Sequence, residues 1–323
     1  MNASMQQRHP MLDQAFALAR AGRIPEGLTI LERLAAEGEP EALFTLAEMH
    51  WCGGPVPQDF ARGRALFRQA SEAGYPLAMQ AYTNLLASGI AGPRDWPAAL
   101  ARLREEARSD DGRARMLALI DGMDLTGDGD PKAVPEARRL SESPDVALFP
   151  GAFSAEECAF LMRIADPAYR PALVRDSMGR QVRDPVRTSD ESTIHWLIED
   201  PAVHGLNRRL ATLSGTAAEQ GEALQILRYR PGQQYRPHVD WDAGDNRRIL
   251  TALVYLNDDY AGGETLFVRT GLTVKGRKGD ALVFRSANPD GSLDRKSEHA
   301  GLPVISGAKH IASRWIHERR YEG

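Results

Sequence analysis

RPHVDW, residues 236–241, sets an imidazole and a carboxylate two positions apart among aromatic and β-branched neighbours. In a strand, side chains two residues apart share a face, so His238 and Asp240 project together while Val239 points away. That geometry suits two ligands of one ion. It equally suits two polar residues on the wet face of a strand, and the choice depends on what surrounds them.

From Leu224 onward, short β-rich segments recur between turns: LQILRYR (224–230), ILTALVYLND (249–258), GETLFV (263–268), LTVKGRKGDALVF (272–284) and HIASRWIHE (310–318). Many short strands at this spacing predict a sandwich or barrel. Upstream, VALFPGAF (146–153) reads as a strand. SAEECAFLMRIA (154–165) reads as a helix opened by Ser154, with Glu157 three residues later completing a capping box. DPAVHGLNRRLATLSG (200–215) predicts a second helix, and both helices are expected to pack on one face of the sheets.

The first third of the chain has a different grammar. Residues 10–123 are rich in Ala, Leu, Arg and Glu with apolar residues at helical spacing. EGEPEALFTLAEM, EAGYPLAMQAYTNL and SDDGRARMLALID align on Ala42, Ala78 and Ala114, a period of 36 residues. Gly27 with Gly63, Leu31 with Phe67 and Leu103, Gly38 with Gly74, and Pro40 with Pro76 keep the same register. Small residues at such positions permit close helix crossing, and Gly or Pro ends a helix. The third copy is degraded, with Asp110 at the Gly position, as expected of a terminal repeat. This region resembles Sel1-like repeats, relatives of the tetratricopeptide solenoid, and the resemblance implies either a partner-binding surface or a helical brace for the neighbouring domain.

The expected organisation is therefore α+β: an all-α repeat domain over 1–124, a linker over 125–144, and a strand-rich domain with flanking helices over 145–323. LTGDGDPKAVPEARRLSESP, the linker, mixes Gly, Pro, Asp and Ser around one short helical stretch. Its DGD lacks the glutamate and spacing of a calcium loop and reads as a solvated turn.

Composition narrows the class. The 323 residues are 42% hydrophobic and 26% charged with a net charge of −4, which gives no general hold on nucleic acid or anionic lipid. The N-terminus lacks the basic start and apolar core of a signal peptide, and no run of about 18 apolar residues could span a bilayer. A cytoplasmic protein with neither a nucleic-acid nor a membrane partner is expected. Cys52 and Cys158 are the two cysteines, too few and too far apart for a disulfide framework or a cysteine zinc site.

A third ligand completes the opening pair. SEHAGLPV supplies His299 about sixty residues later, where a barrel can return it to His238 and Asp240. Two histidines and a carboxylate leave coordination places open, as in non-haem Fe(II) oxygenases; zinc hydrolases also use that set. Lys309 separates the two readings. Alternation places Lys309, Ser313 and Trp315 on one face with Ile311 between them, and a lysine aimed into a barrel needs an anion. The distal carboxylate of 2-oxoglutarate meets that need, while a zinc hydrolase gives the lysine no task.

The run from ALQILRYRPGQQYRPHVDW through RRILTALVYLND, GGETLF and KGDALVF to SEHAGLPVISGAKHIASRWIH resembles the prolyl 4-hydroxylase family of Fe(II)- and 2-oxoglutarate-dependent oxygenases, over about residues 145–323. The resemblance implies a double-stranded β-helix, or jelly roll, with flanking helices. It implies His238, Asp240 and His299 as Fe(II) ligands, and Lys309, Tyr229 and Thr265 on 2-oxoglutarate, with Tyr255 a further candidate. Tyr235, Arg248, Trp315 and His317 match positions lining a peptidyl-proline site. The implied reaction consumes 2-oxoglutarate and O2, gives succinate and CO2, and hydroxylates a proline in a protein or peptide, with ascorbate as reductant. No protein group beyond the iron ligands is expected to be catalytic. RTSD (187–190) matches a family segment without an assigned role, and VRDSMGRQVRDP (174–185) is polar enough for a lid. An oxygenase of the same superfamily acting on a small molecule or another residue, and a binding scaffold with an inactive oxygenase domain, are the alternatives.

Overall fold

The computed structural model describes residues 8–175, 181–182, 186–195 and 197–321. The chain divides into two units, Met1–Leu117 with Leu197–Pro201, and Ala118–Trp196 with Ala202–Gly323.

The first unit is built from α1 (Pro10–Arg20), α2 (Ile24–Ala36), α3 (Pro40–Cys52), α4 (Phe60–Glu72), α5 (Pro76–Ser88) and α6 (Trp96–Glu106). A seventh helix, α7 (Asp111–Gly122), runs from this unit into the second. The periodic glycines and prolines act where the repeat predicts. Gly38 and Gly74 have φ of +83° and +84°, ending α2 and α4, and Pro40 and Pro76 open α3 and α5 at the position that needs no backbone N–H. Gly27 permits close crossing of α1 and α2, since a Cβ there would lie 2.7 Å from the Ala15 carbonyl oxygen. Leu31, Phe67 and Leu103, equivalent in the three copies, are all buried.

The second unit is strand-rich. Its strands are β1 (Arg138–Glu142), β2 (Asp145–Phe149), β3 (Arg170–Pro171), β4 (Val174–Arg175), β5 (Gln181–Val182), β6 (Asp190–Ile194), β7 (Leu224–Tyr229) and β8 (Tyr235–His238). They continue with β9 (Arg248–Tyr255), β10 (Ala261–Gly262), β11 (Thr265–Phe267), β12 (Thr273–Val274), β13 (Ala281–Arg285), β14 (His299–Gly301), β15 (Val304–Ser306) and β16 (Lys309–His317). Eight of them form an antiparallel sheet in the order β1-β2-β13-β9-β16-β7-β6-β3, and four form a second in the order β12-β11-β14-β8. Val146, Leu227, Tyr255, Leu282, Phe284 and Ile311 of the large sheet share one buried cluster with Phe267 and Val274 of the small one. The sheets thus face each other across a common core, the double-stranded β-helix expected from the sequence.

Two helices, α8 (Ala155–Ala165) and α9 (Pro201–Ser214), accompany the sheets, and α8 starts with the predicted capping box between Ser154 and Glu157. The segment read as a linker with a short helix differs from that reading. Arg138–Glu142 is an edge strand paired with β2, and no helix forms between Leu125 and Pro144. Pairing with β2 overrides the helical leaning of PEARRL, and the strand's charged residues blunt the sheet edge. The DGD stretch is a turn in which Thr126 N–H donates to Asp130 O, while the Asp130 carboxylate pairs with Arg208. Of the expected lid, β4 and β5 pair with each other; residues 176–180 and 183–185 lie outside the described residues.

Candidate functional site

The small sheet brings the three candidate ligands together. His238 ends β8 and His299 begins β14, and the two are paired in register, so their rings lie side by side with centroids 4.3 Å apart. Asp240 follows two residues past His238, beyond the end of the strand. Its Oδ1 is 3.6 Å from His238 Nε2 and its Oδ2 is 3.6 Å from His299 Nε2; one ligand atom from each residue falls within 4.8 Å of the others.

Both rings are fixed by main chain. His238 Nδ1 lies 2.8 Å from Arg236 O and His299 Nδ1 lies 3.0 Å from Ser297 O. A carbonyl can only accept, so each Nδ1 carries the proton and each Nε2 presents its lone pair to the shared point. Phe284 and Phe267 wall His299 with edge-on and tilted rings. Burial, with His299 opposite, pushes the His238 pKa down to about 3. Burial opposes ionisation of Asp240, but the two imidazoles and the Thr251 hydroxyl outweigh it and hold the carboxyl below its usual range. Neutral His238 and ionised Asp240 are the states in which such residues bind a divalent metal, so the donor set fits one.

The triad lines a cleft whose empty space, open solvent included, is about 460 Å³. Lys309 of β16, which lines the same cleft, pairs in register with Tyr229 of β7. The lysine is 4% exposed, donates from Nζ to Gly263 O at 2.7 Å, and lies 5.6 Å and 5.8 Å from the ring centroids of Tyr229 and Tyr255. Burial lowers its pKa to about 8, partly offset by the Glu264 charge. Thr265, on β11 beside Gly301 of β14, also lines the cleft, with its hydroxyl 3.4 Å from that of Tyr255. A cation, hydroxyls and a three-ligand metal set on one cleft can hold a dianion at its two ends.

Four residues were expected to contact substrate. Tyr235 and Trp315 line the cleft. Tyr235 stacks on His238 with centroids 3.5 Å apart and planes 14° from parallel. Arg248 and His317 are not among the lining residues. They are tied to Glu222: Arg248 by a bidentate ion pair, and His317 by Nε2 at 2.8 Å. The Arg248 guanidinium covers Trp315, 4.4 Å from its ring. His317 Nδ1 meets Asn246 O at 2.6 Å, so both ring nitrogens face acceptors. Burial opposes protonation of His317, but Glu222 and Asn246 raise its pKa overall. Burial likewise works against the Glu222 carboxylate, while His317 and Arg248 hold its pKa down.

Sequence reasoning passed over Glu222 and gave Arg187 no role. Arg187 is buried in the cleft wall, its guanidinium 5.4 Å from the Tyr235 ring and paired with Glu191 at 3.2 Å. The signal available was its place in RTSD, next to an isolated bridge between Arg187 and Tyr235 that only the folded chain reveals.

Residues 224–317 match the model of the 2OG-Fe(II) oxygenase superfamily. The chain is similar to "Prolyl 4-hydroxylase 1" of Arabidopsis thaliana, 36% identical over 201 residues, covering 56% of this chain and 71% of the relative. Among solved structures, it is similar to the viral collagen prolyl hydroxylase of Paramecium Bursaria Chlorella virus-1 with bound 2OG, at 27% identity and a TM-score of 0.40, covering 53% of this chain and 95% of that one. A Sel1 repeat protein from Oxalobacter formigenes is matched at 19% identity and a TM-score of 0.32, over 33% of this chain and 85% of that one.

Proposed function

The chain belongs to the prolyl 4-hydroxylase family of 2OG-Fe(II) oxygenases, and on that premise we propose that it hydroxylates a proline within a protein or peptide. The observation that carries the reading is one cleft holding both a His-Asp-His set and a buried lysine that makes no ion pair among the described residues. His238, Asp240 and His299 would hold Fe(II), and Lys309, Tyr229 and Thr265 would bind the distal carboxylate of 2-oxoglutarate. Iron with O2 and 2-oxoglutarate supplies the oxidising chemistry, decarboxylation to succinate and CO2 coupled to hydroxylation of a C–H bond.

The chain's own residues bind, orient and exclude water. Lys309 reaches its partner with little reorganisation, because its stem is already packed and its ammonium already desolvated. The Tyr235 and Trp315 rings would flank a pyrrolidine ring, and Arg248 would offer its remaining guanidinium N–H groups to a peptide carbonyl, while His317, both of whose ring nitrogens are engaged, would hold Glu222 in place. Ascorbate is proposed as the reductant that restores Fe(II).

The test is anaerobically purified chain given Fe(II), 2-oxoglutarate, ascorbate and then oxygen, with and without proline-rich peptides. Succinate that rises with a peptide whose proline gains one oxygen supports the reading. Succinate with free proline or another small molecule but no peptide moves the assignment to a small-molecule oxygenase. Absence of succinate under every condition defeats it.

A further inference from the structure

Thr251 sits in the middle of β9, in register with Phe284 on β13 and Trp315 on β16, and is 1% exposed. Such a place in a β-barrel wall ordinarily takes an apolar residue, and Val would fill the same space without a hydroxyl. Burying a hydroxyl without a partner costs about 1–3 kcal/mol by protein mutational measure, so packing alone does not account for Thr. The partner is Asp240: Thr251 Oγ donates to Asp240 Oδ2 at 2.6 Å.

The three converging residues differ in how they are held. His238 and His299 are each oriented by the carbonyl oxygen two residues before them. Asp240 lies beyond the last residue of β8, outside its backbone ladder. Its last side-chain torsion is broad and shallow, so the plane of this buried carboxylate is set by what it meets: the Thr251 hydroxyl and, beside it, the Trp315 side chain. We infer that Thr251 is a positioning residue for Asp240: it ties one carboxylate oxygen to the large sheet and sets the angle at which the other meets the ion. The carboxylate is thereby held as a one-oxygen ligand, which keeps coordination places open for cosubstrates. This inference rests on the metal-site reading above.

The hydroxyl can be removed with little change of shape, which makes the test direct. Equilibrium dialysis of Co(II), a redox-inert probe, against the full chain reads affinity, and the visible spectrum of the bound ion reads ligand geometry. Thr251→Val is expected to bind roughly 10–100-fold more weakly, the usual effect of losing an outer partner of a ligand, with an altered spectrum. Its metal-free melting temperature should fall modestly, because Asp240 Oδ2 loses a buried hydrogen bond, and Thr251→Ser, which keeps the hydroxyl, should recover affinity and spectrum. Should Thr251→Val not fold, Thr251→Ala provides a second hydroxyl-free chain for the same comparison with Ser. Wild-type affinity and spectrum in a hydroxyl-free variant would overturn the role of Thr251 while leaving the triad intact. Equal, negligible binding by wild type and Asp240→Ala would overturn the metal reading, and this inference with it.

Discussion

In the helical unit, the buried guanidinium of Arg64 donates to three carbonyls, Leu85 O at 2.9 Å, Ile90 O at 2.6 Å and Pro93 O at 2.7 Å. Arg113 meets Glu106 at 2.9 Å with both side chains buried, and Glu106 also accepts from Thr83. In the strand-rich unit, Lys309 is equally buried, yet its hydrogen bond goes to one carbonyl, and no ion pair includes it among the described residues. A buried charge that finds its partners inside the chain closes a structure. One left short of a partner is, on the proposed function, kept for a ligand, because an uncompensated ion is too costly to keep for packing alone.

The comparison can be broken at either end. The largest effect is expected at the triad: His299→Ala removes one of three ligands and should abolish iron-dependent succinate formation while leaving circular dichroism unchanged. In the helical unit, Arg113→Met leaves Glu106 buried without its counter-charge and should cost about 3–5 kcal/mol of stability in denaturant unfolding. Replacing both partners by apolar residues should recover most of that loss.

Lys309→Met should do the opposite to stability. Losing a desolvated ammonium should raise the melting temperature of the ligand-free chain, while 2-oxoglutarate binding, measured by calorimetry, weakens by about 2–5 kcal/mol. A lower melting temperature would mean that the lysine is structural after all. In the wild type, 2-oxoglutarate affinity should decline as pH rises past about 8, where the buried lysine loses its charge.

The smallest effect concerns Glu222 and His317, a pair that finds its partners internally although it stands beside the cleft. His317 titrates higher folded than free, so its contribution to stability is complete below the ordinary imidazole value of about 6.5 and is lost as pH rises through the raised one. Glu222 titrates lower folded than free; its contribution is present above the ordinary carboxyl range and is lost as pH falls through the depressed value. Glu222→Gln should flatten the alkaline loss of stability in a series of thermal melts and weaken peptide binding by loosening Arg248 from Trp315. An unchanged alkaline limb would show that His317 is not charged in the fold.

How much of this was legible depended on the distance between cause and effect in the chain. The capping box at Ser154 and the αL glycines of the repeat are consequences of local geometry, and each could be read from a few residues; His238 and Asp240 do converge, but Asp240 lies past the end of the strand on whose alternation that expectation rested. Strand β1 could not, since RRLSE becomes a strand only by pairing with β2. Glu222 stands 95 residues from His317 and 26 from Arg248, and nothing in either neighbourhood announces the meeting. The same separation of strands that hides Glu222 also hides Thr251, whose hydroxyl reads as ordinary strand composition until Asp240 is seen across from it.

The carbonyl oxygens that hold His238 and His299 have an evolutionary consequence. Arg236 and Ser297 orient the rings through main-chain atoms, which every amino acid possesses. Drift at these two positions can change the side chain while the imidazole it governs stays where it is. A family record would then vary beside the ligands at the places where the geometry is most strictly enforced, and constraint would surface instead at a threonine deep in the opposite sheet.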